Sequence, residues 1–441
     1  MLVPLPGCDL PIFWETDVDY TLFYAPGCVV VAVPTATEAL AQAVLQHSPS
    51  QLWAEKLIQH AERAIQITDH QRTEPFQPEC LTLYLHNQCN LNCVYCYTEP
   101  DPRRGEHLSP NAIVAAADLV AANCRVKGLP LALVLHGGGE PSLFQEEAEH
   151  ALRLVENAAQ RYGLEQFRYI ATNGILSEAK ARWLVANFDL IGLSCDGPPD
   201  IQNQQRPRQS GGTTSDALER TAAIFHQSQQ PFHVRATITA STIQRQPEIT
   251  DYIGSVLQPS EIHFEPVYVG GRSAQSSEPD LAQEFVTYFC AAREIARSHG
   301  IKLSYSGVRV EAIHGPYCHS FRPVLNLVPP GVATACFKYT DAHAVEQAGV
   351  RIGAYQNGTF EIDHQQLATL RQDIPASCPE CFNRFHCARA CPDNCQAAAA
   401  SFRCVLNRRL GDVLLHEQAQ MLWTSAQDRG LVVHGTTLVF S

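Results

Sequence analysis

The sequence predicts an α/β protein built on an open, partial (β/α)6 barrel, with a small N-terminal α+β unit before it and a cysteine-rich region after it. Three observations carry this expectation. From residue 80 to about 305, short apolar runs alternate with helical stretches, the pattern of right-handed βαβ units on a parallel sheet. The alternation repeats six times, which suits an open barrel better than a closed eight-stranded one. The 17 cysteines are unevenly placed, with one tight group early and a second late.

In chain order, residues 1–78 read as the N-terminal unit. Tyr20–Tyr24 and Cys28–Val33 suggest two strands about the Ala25-Pro26-Gly27 turn. Thr35-Ala36-Thr37-Glu38 opens a helix, with hydroxyls at the cap and an acid in the first turn. Gln71–Pro75 reads as a linker. Residues 79–305 form the barrel, with strands expected at 81–86, 131–136, 167–172, 189–194, 232–239 and 261–268. Helices are expected at 109–123, 143–162, 177–187, 214–228, 245–256 and 281–299. From 306 to 441 the alternation stops, and Pro, Gly and Cys punctuate short segments before a last helix near 404–423.

Composition narrows the function. A chain of 441 residues is expected to divide into two or three domains. A net charge of −13 argues against a broad phosphate-binding face, so nucleic acid is not expected as a partner. No apolar run approaches the roughly 18 residues that span a bilayer. The first residues, Met1–Pro6, lack the basic start and apolar stretch of a secretory signal, so a cytoplasmic protein is expected. Cytosolic thiols stay reduced, and a cysteine-dense cytosolic chain points to metal ligation or redox chemistry. Cys8, Cys28, Cys80, Cys124, Cys195 and Cys290 are scattered and read as small buried hydrophobes.

Cys89, Cys93 and Cys96 end the first barrel strand and enter its loop. Three thiolates at this spacing can wrap three irons of a [4Fe–4S] cube and leave a fourth iron open. Zinc normally takes four ligands in two paired groups, and no second pair follows nearby. This Cys-x3-Cys-x2-Cys, with the aromatic Tyr95 before its third cysteine, resembles the signature of the radical S-adenosylmethionine (SAM) superfamily. Further matches follow in the order the family has them, each at a strand end. His136-Gly137-Gly138-Gly139-Glu140-Pro141 resembles the Gly-Gly-Glu-Pro motif, implying that Gly138, Gly139 and Glu140 bind the methionine amino group. Thr172-Asn173-Gly174 ends the third strand. Ser194-Cys195-Asp196-Gly197-Pro198, followed by Arg206, resembles the Ser-x-Asp-Gly-Pro…Arg stretch of the peptide- and sulfatase-modifying branch. The resemblance implies that Ser194 contacts the SAM ribose and Arg206 the SAM carboxylate, with Tyr95 also in the SAM-binding set. The His-Asp that often precedes that arginine is replaced here by Gln202-Asn203-Gln204-Gln205.

The late group resembles the SPASM extension of that branch. Cys318, Gly331, Cys336, then Cys378-x2-Cys381-x5-Cys387-x3-Cys391 and Cys404 keep its register. The other reading of such pairs is a zinc ribbon. By resemblance, Cys378, Cys381, Cys387 and Cys404 hold a far auxiliary cluster, and Cys318, Cys336 and Cys391 a near one. No cysteine lies in Val310–Tyr317, so the near cluster is either open at one iron or closed by Cys395 or His314.

The resemblance, covering about residues 80–410, implies three [4Fe–4S] clusters, bound SAM and a flavodoxin- or ferredoxin-type electron donor. It implies reductive cleavage of SAM to a 5′-deoxyadenosyl radical that abstracts hydrogen from a residue of a ribosomal precursor peptide or a protein, forming a crosslink or other oxidative modification. The N-terminal unit either recognises a leader by strand addition or caps the barrel. A sulfatase maturase is the rival enzyme reading. Such proteins place an aspartate base after the cysteine matching Cys336, where this chain has Phe337 and Lys338. Glu265, His263 and Asp196 are acid–base candidates on barrel strands, none singled out as the catalyst. A non-catalytic electron carrier is the reading from another class, and it would need no SAM pocket.

Overall fold

The computed structural model describes residues 1–27, 29–47, 52–98, 106–267, 272, 280–310, 313, 323–372, 378–385, 387 and 401–428. Strands β1 (Val3–Pro4), β2 (Phe13–Thr16), β3 (Tyr20–Ala25) and β4 (Val29–Pro34) form an antiparallel sheet in that order, followed by helices α1 (Glu38–His47) and α2 (Leu52–Thr73). The turn at 25–27 pairs Ala25 with Val29 and Tyr20 with Pro34, as the alternating apolar runs predict. Two local details differ from expectation. Thr35–Thr37 forms a 3-10 turn ahead of α1, and α2 runs through most of the expected linker to Thr73.

The barrel follows as β5 (Cys80–Leu83), α3 (Pro110–Lys127), β6 (Leu131–Leu135), α4 (Gln145–Tyr162), β7 (Gln166–Thr172), α5 (Glu178–Asn187) and β8 (Leu190–Ser194). It continues as α6 (Pro199–Gln205), α7 (Ser215–Gln227), β9 (Phe232–Ile238), α8 (Gln246–Tyr252), β10 (Glu261–Pro266), α9 (Leu281–Ser298) and β11 (Lys302–Ser304). Capping explains several helix limits. Ser109 precedes Pro110 at the start of α3, Gly128 and Gly163 end α3 and α4 in the left-handed region, and Ser177 accepts the Lys180 N–H.

Strand β9 shows how the sheet is built. Phe232, Val234, Ala236 and Ile238 are buried, while the alternate residues His233, Arg235 and Thr237 line the central cavity. The parallel order is β11-β10-β9-β8-β7-β6-β5. Two parallel strands lie beyond the six expected: β11, beside β10, and β12 (Val324–Val328), beside β5. The short Lys302–Ser304 run carries too little apolar alternation to stand out in the sequence.

The sheet then extends antiparallel through β13 (Val332–Thr334), α10 (Ala342–Gln347), β14 (Arg351–Gln356) and β15 (Thr359–Ile362), after which come α11 (His364–Gln372) and α12 (Phe402–Asp428). Its ends, β11 and β15, are different strands at opposite edges, so the barrel stays open.

The N-terminal sheet shares its core with the rest. Tyr20 packs on Trp423 of α12 at 5.8 Å between ring centroids, and Phe13 and Tyr24 flank Phe382 at 6.3 and 6.5 Å. The opposite face, with Phe23 and Val31, closes on Trp53, Ala54 and Leu57 of α2 in a separate small core. Of the scattered cysteines, Cys124 and Cys195 are buried as expected. Cys8, Cys80 and Cys290 are only partly so, and Cys28 lies outside the described residues. No described helix is long and apolar enough to cross a membrane.

Candidate functional site

A cavity of about 410 Å³ opens at the C-terminal ends of the parallel strands. Its walls include Cys89, Cys93, Tyr95 and Cys96 from the loop after β5, Gly137–Glu140 after β6, Thr172 and Asn173 after β7, and Ser194 and Arg206 after β8. Parallel sheets leave their strand ends and βα loops free for function on this side. The structure thus brings Cys89, Cys93, Tyr95, Cys96, Gly138, Gly139, Glu140, Ser194 and Arg206 to one cavity, while Asp196 and Gly174 of the same motifs are not part of its wall.

Burial pushes the Cys89 thiol up to about 12 and the Cys93 thiol to about 11. Thiols so placed are neutral in the metal-free chain, and binding a metal would release their protons. The Cys89 sulfur accepts the Leu91 N–H at 3.4 Å, and the Cys96 sulfur lies 3.1 Å from the Thr98 hydroxyl. The loop backbone is stitched across the barrel: Asn92 N–H donates to Pro207 O and Val94 N–H to Gln205 O.

The ligand spacing bears on the metal. Thiolates at about 2.3 Å from one zinc ion lie within roughly 3.8 Å of one another. Among the described residues, only Glu15, Asp412 and His416 place three ligand atoms mutually within 4.8 Å, and the Met1 ammonium already pairs with both acids. The sulfurs of Cys89, Cys93 and Cys96 are not all mutually within that distance, so the set is not shaped around one zinc ion. A cube of iron and sulfide holds its thiolates further apart.

The glycine run also has a packing role. A Cβ on Gly139 would lie 1.7 Å from the Gln88 carbonyl oxygen, and one on Gly137 would meet the Tyr84 ring at 2.2 Å. These glycines let the β6 loop press against the cysteine loop, where Glu140 N–H donates to Gln88 O at 2.8 Å. The Glu140 carboxylate is also occupied. Its Oε1 accepts from the Ser142 and Thr172 hydroxyls at 2.6 and 2.8 Å, and its Oε2 from the Asn173 N–H at 2.7 Å. Glu140 thus ties the β6 loop to the end of β7, and only Oε2 keeps a lone pair to offer an ammonium.

Asp196, an acid–base candidate from the sequence, is fully buried and engaged. Its Oδ1 accepts the Thr237 N–H at 2.9 Å, and its Oδ2 accepts the Tyr95 hydroxyl at 2.5 Å. Arg206 Nε lies 3.0 Å from the same Oδ2, close enough for an ion pair but not aligned for a hydrogen bond. Burial opposes the guanidinium charge, but Asp196, with Tyr95 and Cys93, raises Arg206 above its usual value. The aromatic of the cysteine motif and the arginine thus meet on one carboxylate.

Deeper in the barrel, Tyr169 and His233 stack at 5.6 Å and share a 3.2 Å hydrogen bond. Gly192 makes room for them, since a Cβ there would meet the Tyr169 hydroxyl at 2.0 Å. His263 packs edge-on to His233 and is itself held by Ser304 and Glu261. Glu265, at the end of β10, is 3% exposed; its Oε1 accepts the Ser306 N–H at 3.1 Å, while its Oε2 is buried and has no partner among the described residues. Tyr169, Gly192 and His233 escaped the sequence reading because they belong to no motif; only the polar residues at alternate positions of β9 hint at them.

Among the late cysteines, Cys336 sits in the turn after β13, gripped by Thr334. That turn is bolted to the cysteine loop, with Tyr84 donating to Phe337 O and Asn87 to Thr340 O, both at 2.9 Å. Cys378, Cys381 and Cys387 share one compact segment, with Cys381 N–H on Cys378 O and Cys387 N–H on Asn383 O. Asn407, one turn after Cys404 in α12, donates to the Cys387 sulfur at 3.8 Å. Asn383 donates back to Asn407 O, so the two halves of the far set are joined. Cys318, Cys391, Cys395 and His314 lie outside the described residues.

Three half-buried cysteines line the cavity at the mouth of this open α/β barrel. Residues 83–240 match the model of the Radical SAM superfamily, so the chain carries a radical SAM domain. A cysteine-type anaerobic sulfatase-maturating enzyme of Clostridium perfringens is 27% identical over 173 residues, 37% of this chain and 45% of that protein. The chain thus spans less than half the length of that relative. A serine-type anaerobic sulfatase-maturating enzyme of Klebsiella aerogenes is 22% identical over 72% of this chain and 80% of its own. The fold is shared with native anSMEcpe with bound AdoMet and Kp18Cys peptide, at TM-score 0.61 and 20% identity over 78% of this chain and 99% of that one. It is also shared with Streptococcus suis SuiB bound to S-adenosylmethionine, at TM-score 0.51 and 12% identity over 86% and 95%.

Proposed function

We propose that this chain is a radical SAM enzyme that modifies a peptide or protein, with a ribosomal precursor peptide as the leading substrate. One observation carries the reading: Cys89, Cys93 and Cys96 line the same cavity as Glu140, Ser194 and Arg206. Cys89, Cys93 and Cys96 would hold a [4Fe–4S] cluster, and Gly138, Gly139, Glu140, Ser194 and Arg206 the SAM beside it. When bound, the pair supplies reductive cleavage to a 5′-deoxyadenosyl radical able to take hydrogen from a C–H bond. The chain's own part is to orient and to exclude water: Tyr95 and Thr98 anchor the cysteine loop, and the buried barrel floor shields the cavity.

The peptide class draws on the fold shared with anSMEcpe, which is solved with a bound peptide. Formylglycine formation is the second reading, favoured by the sulfatase-maturating relatives. The residues after Cys336 speak against it, since Phe337 and Lys338 offer no carboxylate. Cys378, Cys381, Cys387 and Cys404 would hold the far auxiliary cluster, and Cys318, Cys336 and Cys391 the near one, in the cytoplasm with a flavodoxin- or ferredoxin-type donor.

The test is anaerobic reconstitution. The full chain should bind about twelve irons if three cubes form, and after reduction it should convert SAM to 5′-deoxyadenosine. Replacing Cys89, Cys93 and Cys96 together by Ala should remove about a third of the iron and abolish cleavage. Cleavage that survives the triple substitution refutes the proposal.

A further inference from the structure

Arg206 is 8% exposed and lines the cavity, with its Nε facing Asp196. Among the described residues its terminal nitrogens have no hydrogen-bond partner. A guanidinium held along its Nε side presents the remaining Nη pair as a fork matched to a carboxylate. The group that holds it is Asp196, fully buried and immobilised from two further directions. Thr237 N–H fixes Oδ1, and the Tyr95 hydroxyl fixes Oδ2. The Arg206 guanidinium also lies over the Tyr95 ring, 5.4 Å from its centroid.

We propose that Asp196 is a positioning residue that aims the Nη fork of Arg206 at the carboxylate of the methionyl group, with Tyr95 as the strut that holds Asp196 in place. This rests on the SAM-binding reading above and adds a selectivity to it. An arginine side chain left free would spread over many rotamers and give up much of its advantage on binding. Asp196 removes that cost in advance. It also makes the aromatic of the cysteine motif part of cofactor recognition: Tyr95 lies between Cys93 and Cys96 in sequence and reaches the arginine through one carboxylate. A cysteine loop pulled out of place would therefore misalign Arg206 as well.

Decarboxylated SAM, which lacks only the carboxylate, isolates this role. Dissociation constants of SAM and decarboxylated SAM are measured on the reconstituted full chain, with iron content as the check on folding. The wild-type chain should prefer SAM by about tenfold or more. Asp196→Asn keeps size and shape but loses the charge that orders Arg206, so SAM should weaken by about tenfold while decarboxylated SAM changes by less than about threefold. Tyr95→Phe removes one hydroxyl and should produce the same selective loss at smaller size, which keeps the test open if Asp196→Asn does not fold. In an Arg206→Met background neither substitution should matter further. Equal weakening of both ligands would show a merely structural role and overturn the proposal, as would no loss of SAM affinity in a folded variant. A wild-type chain that binds SAM without preferring it over the decarboxylated form also overturns it, while leaving the proposed function standing. Failure of the wild-type chain to bind SAM overturns both.

Discussion

Gln88 and Gly139 touch backbone to backbone, so closely that a Cβ on Gly139 would come within 1.7 Å of the Gln88 carbonyl oxygen. The cysteine loop and the glycine loop are therefore one packed unit. Gly139→Ala should force them apart, destabilising the chain by about 2 kcal/mol or more. Iron content and thermal midpoint should fall together. A variant with wild-type values for both would show that the loops tolerate separation.

His233 carries a pH dependence. Burial, with His263 beside it, pushes the His233 imidazole down to about 4, against about 6.5 in an unfolded chain. Between those values the unfolded state binds the extra proton, so stability falls as the pH drops from about 6.5 towards 4. The loss amounts to roughly 3 kcal/mol across the whole window. His233→Gln should flatten the decline in thermal midpoint between pH 7 and pH 5. Parallel declines in the two proteins would mean that other groups cause it.

Glu265 holds a buried oxygen with no partner among the described residues. Such a group is retained at a cost in stability of order 1 kcal/mol. Glu265→Gln preserves the acceptor for Ser306 and exchanges one unpartnered buried polar group for another, so its thermal midpoint should change by less than about two degrees. A midpoint lower by more than that would reveal a contact that stabilises the carboxylate in the free protein.

The N-terminal sheet predicts the outcome of truncation. Removing residues 1–75 would uncover Phe382 and Trp423, which pack on Phe13, Tyr24 and Tyr20. The shortened chain should bind a hydrophobic dye, lose thermal stability and aggregate. A soluble truncated protein that keeps its iron but loses affinity for a precursor peptide would favour leader recognition over capping.

Much of this protein is legible along the chain. The six parallel strands follow from apolar runs separated by capped helices, because period and capping are local properties of neighbouring residues. The early cysteines and Gly137–Glu140 announce a cavity because each lies just past such a run. What period and spacing cannot supply is the partner of each side chain. Asp196 looks like a free acid in sequence, yet it takes a hydrogen bond from Tyr95, 101 residues earlier. Glu140 looks like a ligand group, and most of its capacity is spent on Ser142, Thr172 and Asn173. The N-terminal unit reads as separate because its strands are contiguous, but Tyr20 finds Trp423 only when the ends of the chain meet. The six-fold alternation of strand and helix and the spacing of the cysteines along the chain were thus set by local pattern. The aim of Arg206, the pairing of Tyr169 with His233 and the isolation of Glu265 were decided by the tertiary fold, because each depends on residues from different strands sharing one buried volume.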